Sequence, residues 1–167
     1  LEYHGEHLGV GMDTLVVIKT VERLEEELDL VILPPFYYGA GSYAVETPEM
    51  KGTVQVEQTS LAPLAKDLFL SLLRIGFRNV HAFIHHQSEN FTAGMPTDLA
   101  FKFGAKQATF EYLNKQRGEG WWGDNKMQDY YVQHGARDNP FNWIQIHPLM
   151  DAQIIANYNF DHAGIGE

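Results

Sequence analysis

A chain of 167 residues with 44% hydrophobic side chains, mean hydropathy −0.28 and a net charge of −10 has the size and composition of one soluble globular domain with a core of its own. The negative balance argues against nucleic acid as the main partner, because phosphate binding wants a basic face. No apolar run reaches membrane-spanning length, nothing at the start reads as a signal peptide, and the absence of Cys removes disulfides, a thiol nucleophile and cysteine-bound zinc. A cytoplasmic protein without a membrane partner is therefore expected, in which any metal is held by His, Asp and Glu. The sequence begins at Leu1 rather than Met and enters a motif at once, so we expect a single domain over 1–167 that is incomplete at both ends.

The first stretch, Glu2-Tyr3-His4-Gly5-Glu6-His7-Leu8 followed by Asp13, puts carboxylates and imidazoles within a dozen residues. In an extended segment Glu2 and His4 project to one face and His7 to the other. A carboxylate beside an imidazole, with Asp13 returning at the mouth of the next helix, makes a nest for a divalent metal. The plain alternative is a polar strand end followed by an Asp helix cap. Asp13 or Thr14 opens a helix to about Leu28, with Leu15, Val17, Ile18, Val21, Leu24 and Leu28 as its apolar stripe and Glu22, Arg23, Glu25, Glu26 and Glu27 as its wet face. Leu30-Val31-Ile32-Leu33, ended by Pro34-Pro35, reads as a buried parallel strand.

Phe36 to Lys51 is a loop rich in Gly, Tyr and Ser, and 52–56 alternates like a strand with one polar face. Ser60 starts a helix to Arg74, with Leu64, Leu68, Leu72 and Ile75 facing inward and Gly76 as its stop. A strand over 79–84 delivers His85-His86-Gln87-Ser88-Glu89-Asn90 at its carboxyl end. Thr97 opens a helix to about Lys115. Gln116 to Pro140 reads as a lid or long excursion, in which Trp121-Trp122 either covers a site or packs on the surface. A strand over 141–146 and a short helix over 150–157 follow, and the chain ends on Phe160-Asp161-His162-Ala163-Gly164-Ile165-Gly166-Glu167. Strands alternating with helices predict an α/β fold with a mostly parallel sheet, and ligands of such sheets collect beyond the carboxyl ends of the strands.

The polar clusters supply Glu2, His4, Asp13, His85 or His86, Glu89, His162 and Glu167. Such nitrogen and oxygen donors suit zinc or manganese, and the set is large enough for two ions. Two ions sharing a bridging carboxylate and a hydroxide provide a nucleophile at neutral pH, and a remaining His can act as general acid toward a leaving amine. Hydrolysis of a C–N bond is the implied reaction. His81, His134 and His147 are given no role.

These motifs, in this order, resemble those of the creatininase (creatinine amidohydrolase) family: Glu2-x-His4-Gly-x-His7-Leu…Asp13, Leu33-Pro34-Pro35-Phe36-Tyr37-Tyr38-Gly39, Gly52-Thr53, Gly76-Phe77-Arg78-Asn79-Val80 leading to His86…Asn90, and His162-Ala163-Gly164-x-x-Glu167. The resemblance covers nearly the whole chain. It implies a three-layer α/β/α domain and a two-metal amidohydrolase using zinc, manganese or both, with a metal-bridged hydroxide as nucleophile. It also implies a small cyclic amide or formamide as substrate and a homo-oligomer, often a hexamer.

Carried over by residue, Glu2, His4, Asp13, His86 and Glu89 fall on metal ligands, with Asp13 bridging, His85 the alternative to His86, and Glu167 the alternative to Glu89 or a group behind the ligands. His162 falls on the histidine that contacts substrate and assists proton transfer, with Glu167 beside it in the catalytic set. Ser42, Tyr158 and Asn159 fall on substrate-facing positions. Two departures stand out. The turn from His86 to Asn90 has one residue more than the family's His-x-x-Asn, and Tyr158-Asn159 stands where creatininase proper has Trp-Asp. The resemblance therefore carries the reaction class and not creatinine itself. A member that has lost catalysis and serves as a metal-binding or structural subunit is the second reading.

Overall fold

A computed structural model describes residues 1, 8–40, 54, 56–85, 97–121 and 139–149. In chain order these form helix α1 (Met12–Glu25), helix α2 (Gln58–Ile75), strand β1 (Val80–Ile84), helix α3 (Thr97–Arg117), a 3-10 turn at Pro140–Asn142 and strand β2 (Ile144–Pro148). Strands β1 and β2 pair directly. Val80 N–H donates to the Trp143 carbonyl at one end, and Leu149 N–H to the Ile84 carbonyl at the other, so the two strands run parallel. The α/β class expected from the sequence is present in this helical chain with its small parallel sheet. The chain divides into two compact units: Leu1–Gln58, Phe83–Asp98 and Pro148–Glu167 form the first, and Thr59–Ala82 with Leu99–His147 the second.

In the first unit, α1 begins at Gly11, whose φ of +102° is a left-handed conformation that other residues resist; the Gly11 carbonyl accepts from Leu15 N–H. This corrects the reading of Asp13 as a cap. Asp13 lies inside the first turn, where a carboxylate favours the helix dipole, and no side chain caps this end. No residue of α1 is fully buried, so its apolar stripe is only partly covered, and Leu15 and Leu28 are exposed. A second correction concerns 30–33. These residues are in neither helix nor strand, and Val31 is 73% exposed. A run of apolar residues becomes a buried strand only where a neighbouring edge takes up its backbone groups, and Pro34 and Pro35 have no N–H to donate to one. Backbone bonds instead tie Leu1 to this region: its ammonium donates to the Tyr37 carbonyl, and its own carbonyl accepts from Val54 N–H. Of the expected strand over 52–56, Val56 N–H also donates to the Gly39 carbonyl.

The second unit is built on α2 against α3. Leu61, Ala65, Phe69 and Leu73 of α2 meet Phe101, Ala105, Ala108 and Leu113 of α3 in a closed core, with Phe69 and Phe101 edge to face at 6.2 Å. The helices approach closely at Gly104, where an added Cβ would stand 2.8 Å from the Ala62 carbonyl oxygen, the Ala65 Cβ and the Lys66 nitrogen. This register corrects the inward face expected for α2. Leu72 is buried, but Leu64, Leu68 and Ile75 are exposed, because the buried stripe runs along Leu61, Ala65, Phe69, Leu72 and Leu73. Lys66 bridges to Glu111 at 2.6 Å across the same pair of helices. Gly76 ends α2 as expected: with φ +121° it lets Phe77 N–H reach back to the Leu72 carbonyl, the closing bond of a Schellman motif.

Arg78 then fastens three elements. Its guanidinium packs over the rings of both Tyr112 (4.6 Å) and Trp143 (4.7 Å), donates to the Leu73 and Phe77 carbonyls, and donates to the Tyr112 hydroxyl. A planar fork satisfies all of these at once, and an ammonium cannot. Arg78→Lys is expected to lower unfolding free energy by about 2 kcal/mol, read from urea denaturation; a change within experimental error would show the clasp to be dispensable.

Trp121 belongs to this core rather than to a cover. It is buried, donates Nε1–H to Asn114 Oδ1, and packs against Phe110 and Phe141. Strand β2 starts three residues later than expected because Asn139-Pro140 sets up a turn first: the Asn139 side chain accepts from Phe141 N–H, and proline fits the first turn position. The shift brings His147 into the sheet diagonally across from His81, with His81 Nδ1 and His147 Nε2 2.8 Å apart.

His147 titrates below its ordinary value of 6.5, first because burial disfavours the imidazolium and then because His81 is close. The unfolded chain thus takes up this proton at a higher pH than the folded one, so stability is full above 6.5 and declines as pH falls below it. On moving from about pH 7.5 to about pH 5.5, the melting temperature is expected to drop further for the native chain than for His147→Gln. Equal drops in the two proteins would remove His147 as the cause.

Candidate metal centre

Two of the acid and imidazole groups singled out in the sequence meet in the first unit. Asp13 is carried by the first turn of α1, and His85 follows β1 at its carboxyl end, where open parallel sheets collect ligands. His85 Nε2 stands 3.7 Å from Asp13 Oδ1, with the two side chains 20% and 22% exposed. They are sheltered, yet open enough for a small ligand to reach. Each element has a local reason to present its group. The left-handed Gly11 starts α1 one residue before the helical run, which places Asp13 in the first turn, and β1 ends at Ile84 so that His85 is the first side chain past the ladder.

The donor types fit a divalent ion. One imidazole nitrogen and one carboxylate oxygen are ordinary ligands of zinc or manganese. Two donors each about 2.1 Å from one tetrahedral ion stand about 3.4 Å apart, so a separation of 3.7 Å lies within a small side-chain rotation of a shared ion. Among the described residues no third His, Asp or Glu completes a ligand set with them.

Of the other residues named from the sequence, Glu2, His4, Ser42, His86, Glu89, Tyr158, Asn159, His162 and Glu167 all lie outside the described residues, as do His7, His134, Trp122 and the expected helix over 150–157. The structure thus joins Asp13 to the first histidine of the turn, His85, which the sequence offered as the alternative to His86. The pairing of His81 with His147 went unforeseen. The signal for it was two histidines on successive strands, but His147 fell one residue beyond the expected end of its strand. Among the described residues no helix is long and apolar enough to cross a membrane.

A family model described as Creatininase, creatinine amidohydrolase, matches residues 1–167, the whole of the chain. No curated protein and no solved structure shows significant similarity to it.

Proposed function

The chain belongs to the creatininase family, and on that footing we propose that it is a two-metal amidohydrolase cleaving the C–N bond of a small cyclic amide or formamide. The amidohydrolase class comes with the family. The observation that carries the metal-dependent reading is the convergence of the Asp13 carboxylate and the His85 imidazole beyond the end of β1, two residues far apart in the chain and both of ligating type. The remaining ligands would be Glu2, His4 and Glu89, in the three-layer α/β/α frame that the family resemblance implies. The facing pair favours His85 over His86 as the ligand from the histidine turn.

Zinc or manganese, when bound, supplies Lewis-acid polarisation of the scissile carbonyl and lowers the pKa of water. The chain's own groups do the rest. Asp13 supplies a carboxylate facing His85, a charge that would hold and bridge two bound ions. His162 holds a proton for the nitrogen that leaves as the C–N bond breaks, and Glu167 belongs to the same catalytic set. Ser42, Tyr158 and Asn159 position the substrate. Hydrolysis places the oxygen of water on the carbonyl carbon and a proton on the nitrogen, so the products are a carboxylate and an amine. Because Asn159 replaces the family's Asp, formamides and lactams other than creatinine are the substrates we favour.

The test is metal content and turnover together. Protein supplied with zinc or manganese is expected to retain metal through desalting and to hydrolyse at least one member of a panel of creatinine, formylamino compounds and small lactams. Chelation should stop the reaction and metal should restore it. Protein that holds no metal and turns over nothing would instead be the non-catalytic subunit.

A further inference from the structure

The outward face of α2 carries apolar side chains that the fold leaves uncovered. Leu64, Leu68 and Ile75 are 46%, 43% and 72% exposed, and Ser71, also exposed, stands between the last two. Steps of four, three and four residues put all four in one narrow stripe along about 17 Å of helix. The contact with α3 is on another side, since Gly104 meets α2 at Ala62, Ala65 and Lys66. These steps are those of a heptad seam, in which the side chains of two helices interlock in layers. Ser71 suits such a seam. Its hydroxyl already donates to the Asp67 carbonyl one turn back, so covering it leaves no donor unpaired.

We propose that this face of α2 is a contact between two copies of the chain, with the two helices antiparallel about a two-fold axis. Antiparallel pairing sets Leu64 against Ile75 of the second copy and Leu68 against its Ser71, and the symmetry repeats both layers. Charge then selects this arrangement. Asp67 comes just before Leu68 and Arg74 comes three residues after Ser71, so the two flank the same layer from one side. Each Asp67 thereby faces an Arg74 of the other copy, and the dimer closes two opposite-charge pairs. Both side chains are exposed, and Arg74 reaches Glu111 only at 3.9 Å, while Lys66 holds that carboxylate at 2.6 Å. A parallel pair loses the match, because it turns Asp67 toward Leu72 of the second copy, which is buried and uncharged.

The experiment is sedimentation equilibrium of the full chain and of Leu68→Lys, Asp67→Arg, Arg74→Asp and the combined charge swap. The native chain should associate at micromolar concentration, because three turns of helix make a small interface. Leu68→Lys puts two ammonium groups into the seam and should weaken association at least about a hundredfold. Each charge reversal alone should weaken it at least about tenfold, and the combined swap should restore it to within about threefold. Circular dichroism of each variant separates lost association from lost folding. The chain has no cysteine, so mixing Leu64→Cys with Ile75→Cys and adding a short thiol cross-linker reads the orientation. The mixture should join, and neither variant should join to itself. A native chain that stays single at every concentration overturns the proposal, as does Leu64→Cys linking to itself. An assembly that Leu68→Lys leaves intact, or that the charge variants weaken no less combined than singly, also overturns it. These readouts are mass and cross-links, so they stand apart from the outcome for amide hydrolysis.

Discussion

Asp13→Ala is expected to lower kcat/KM on any amide the chain hydrolyses by at least about a thousandfold, which corresponds to roughly 4 kcal/mol of transition-state stabilisation. Bound metal should fall with it, while the fold survives. The argument for a large effect is chemical. A carboxylate in a donor set of histidines and acids supplies charge that no neighbouring neutral group replaces, and a two-metal reaction depends on both ions being held at once. The argument for an intact fold is structural. Asp13 lies in the first turn of a helix with no fully buried residue, it caps nothing, and the helix start is set by the backbone of Gly11. Losing a first-turn acid costs a fraction of a kcal/mol. Asp13→Asn sharpens the reading, because it keeps shape and removes charge. If hydrolysis depends on the negative carboxylate, Asn should fail as completely as Ala. His85→Ala and His86→Ala distinguish the two histidines of the turn: the facing geometry predicts the greater loss of metal for His85. Retention of full metal content and turnover in Asp13→Ala would place the reaction elsewhere.

How much of this was legible in the sequence differs by element. The end of α2 and the start of α3 were legible because their signals are local. Gly76 needs a left-handed backbone that only glycine takes easily, and Thr97 opens the helix that was expected there. The buried faces were less so. Counting leucines along α2 selects Leu64, Leu68 and Ile75, yet Ile75 is 72% exposed while Ala62 and Ala65 are buried. Hydropathy weights large side chains, whereas close helix approach selects small ones, and the partner glycine that makes it possible, Gly104, lies on another helix. Leu30 to Leu33 shows the same limit from the other side, since composition proposes burial and only a neighbouring edge provides it. At the candidate site the sequence offered residue types and an order of motifs, and the whole-length family match agrees with that order. That His85 meets Asp13 follows from β1 ending at Ile84, a matter of one residue of register. His147 was missed for the same reason, because the Asn139-Pro140 turn displaced its strand.

The contact between α2 and α3 predicts losses of opposite origin at two adjoining places. Phe69 is 2% exposed and packs on Phe101, so Phe69→Ala removes most of an aromatic side chain from a closed core and leaves a cavity that the flanking helices only partly close. A loss of about 3–5 kcal/mol is expected. Gly104→Ala adds a single methyl group where 2.8 Å separates its position from two backbone atoms and a Cβ. Alanine gains up to about 1 kcal/mol of helix propensity over glycine, but overpacking costs about 1–3 kcal/mol, so a net loss of about 1 kcal/mol or more is expected. The sign is the decisive part, since on an open helix face the same change would stabilise. Urea unfolding of each variant, with the slope checked against the native chain, measures both. In the double variant the space vacated by Phe69 lets the helices shift and relieve Gly104→Ala, so its loss should be smaller than the sum of the single losses. A stabilised Gly104→Ala would mean that α2 and α3 do not touch at Ala62 and Ala65, and strict additivity would mean that the two positions do not share one packed core.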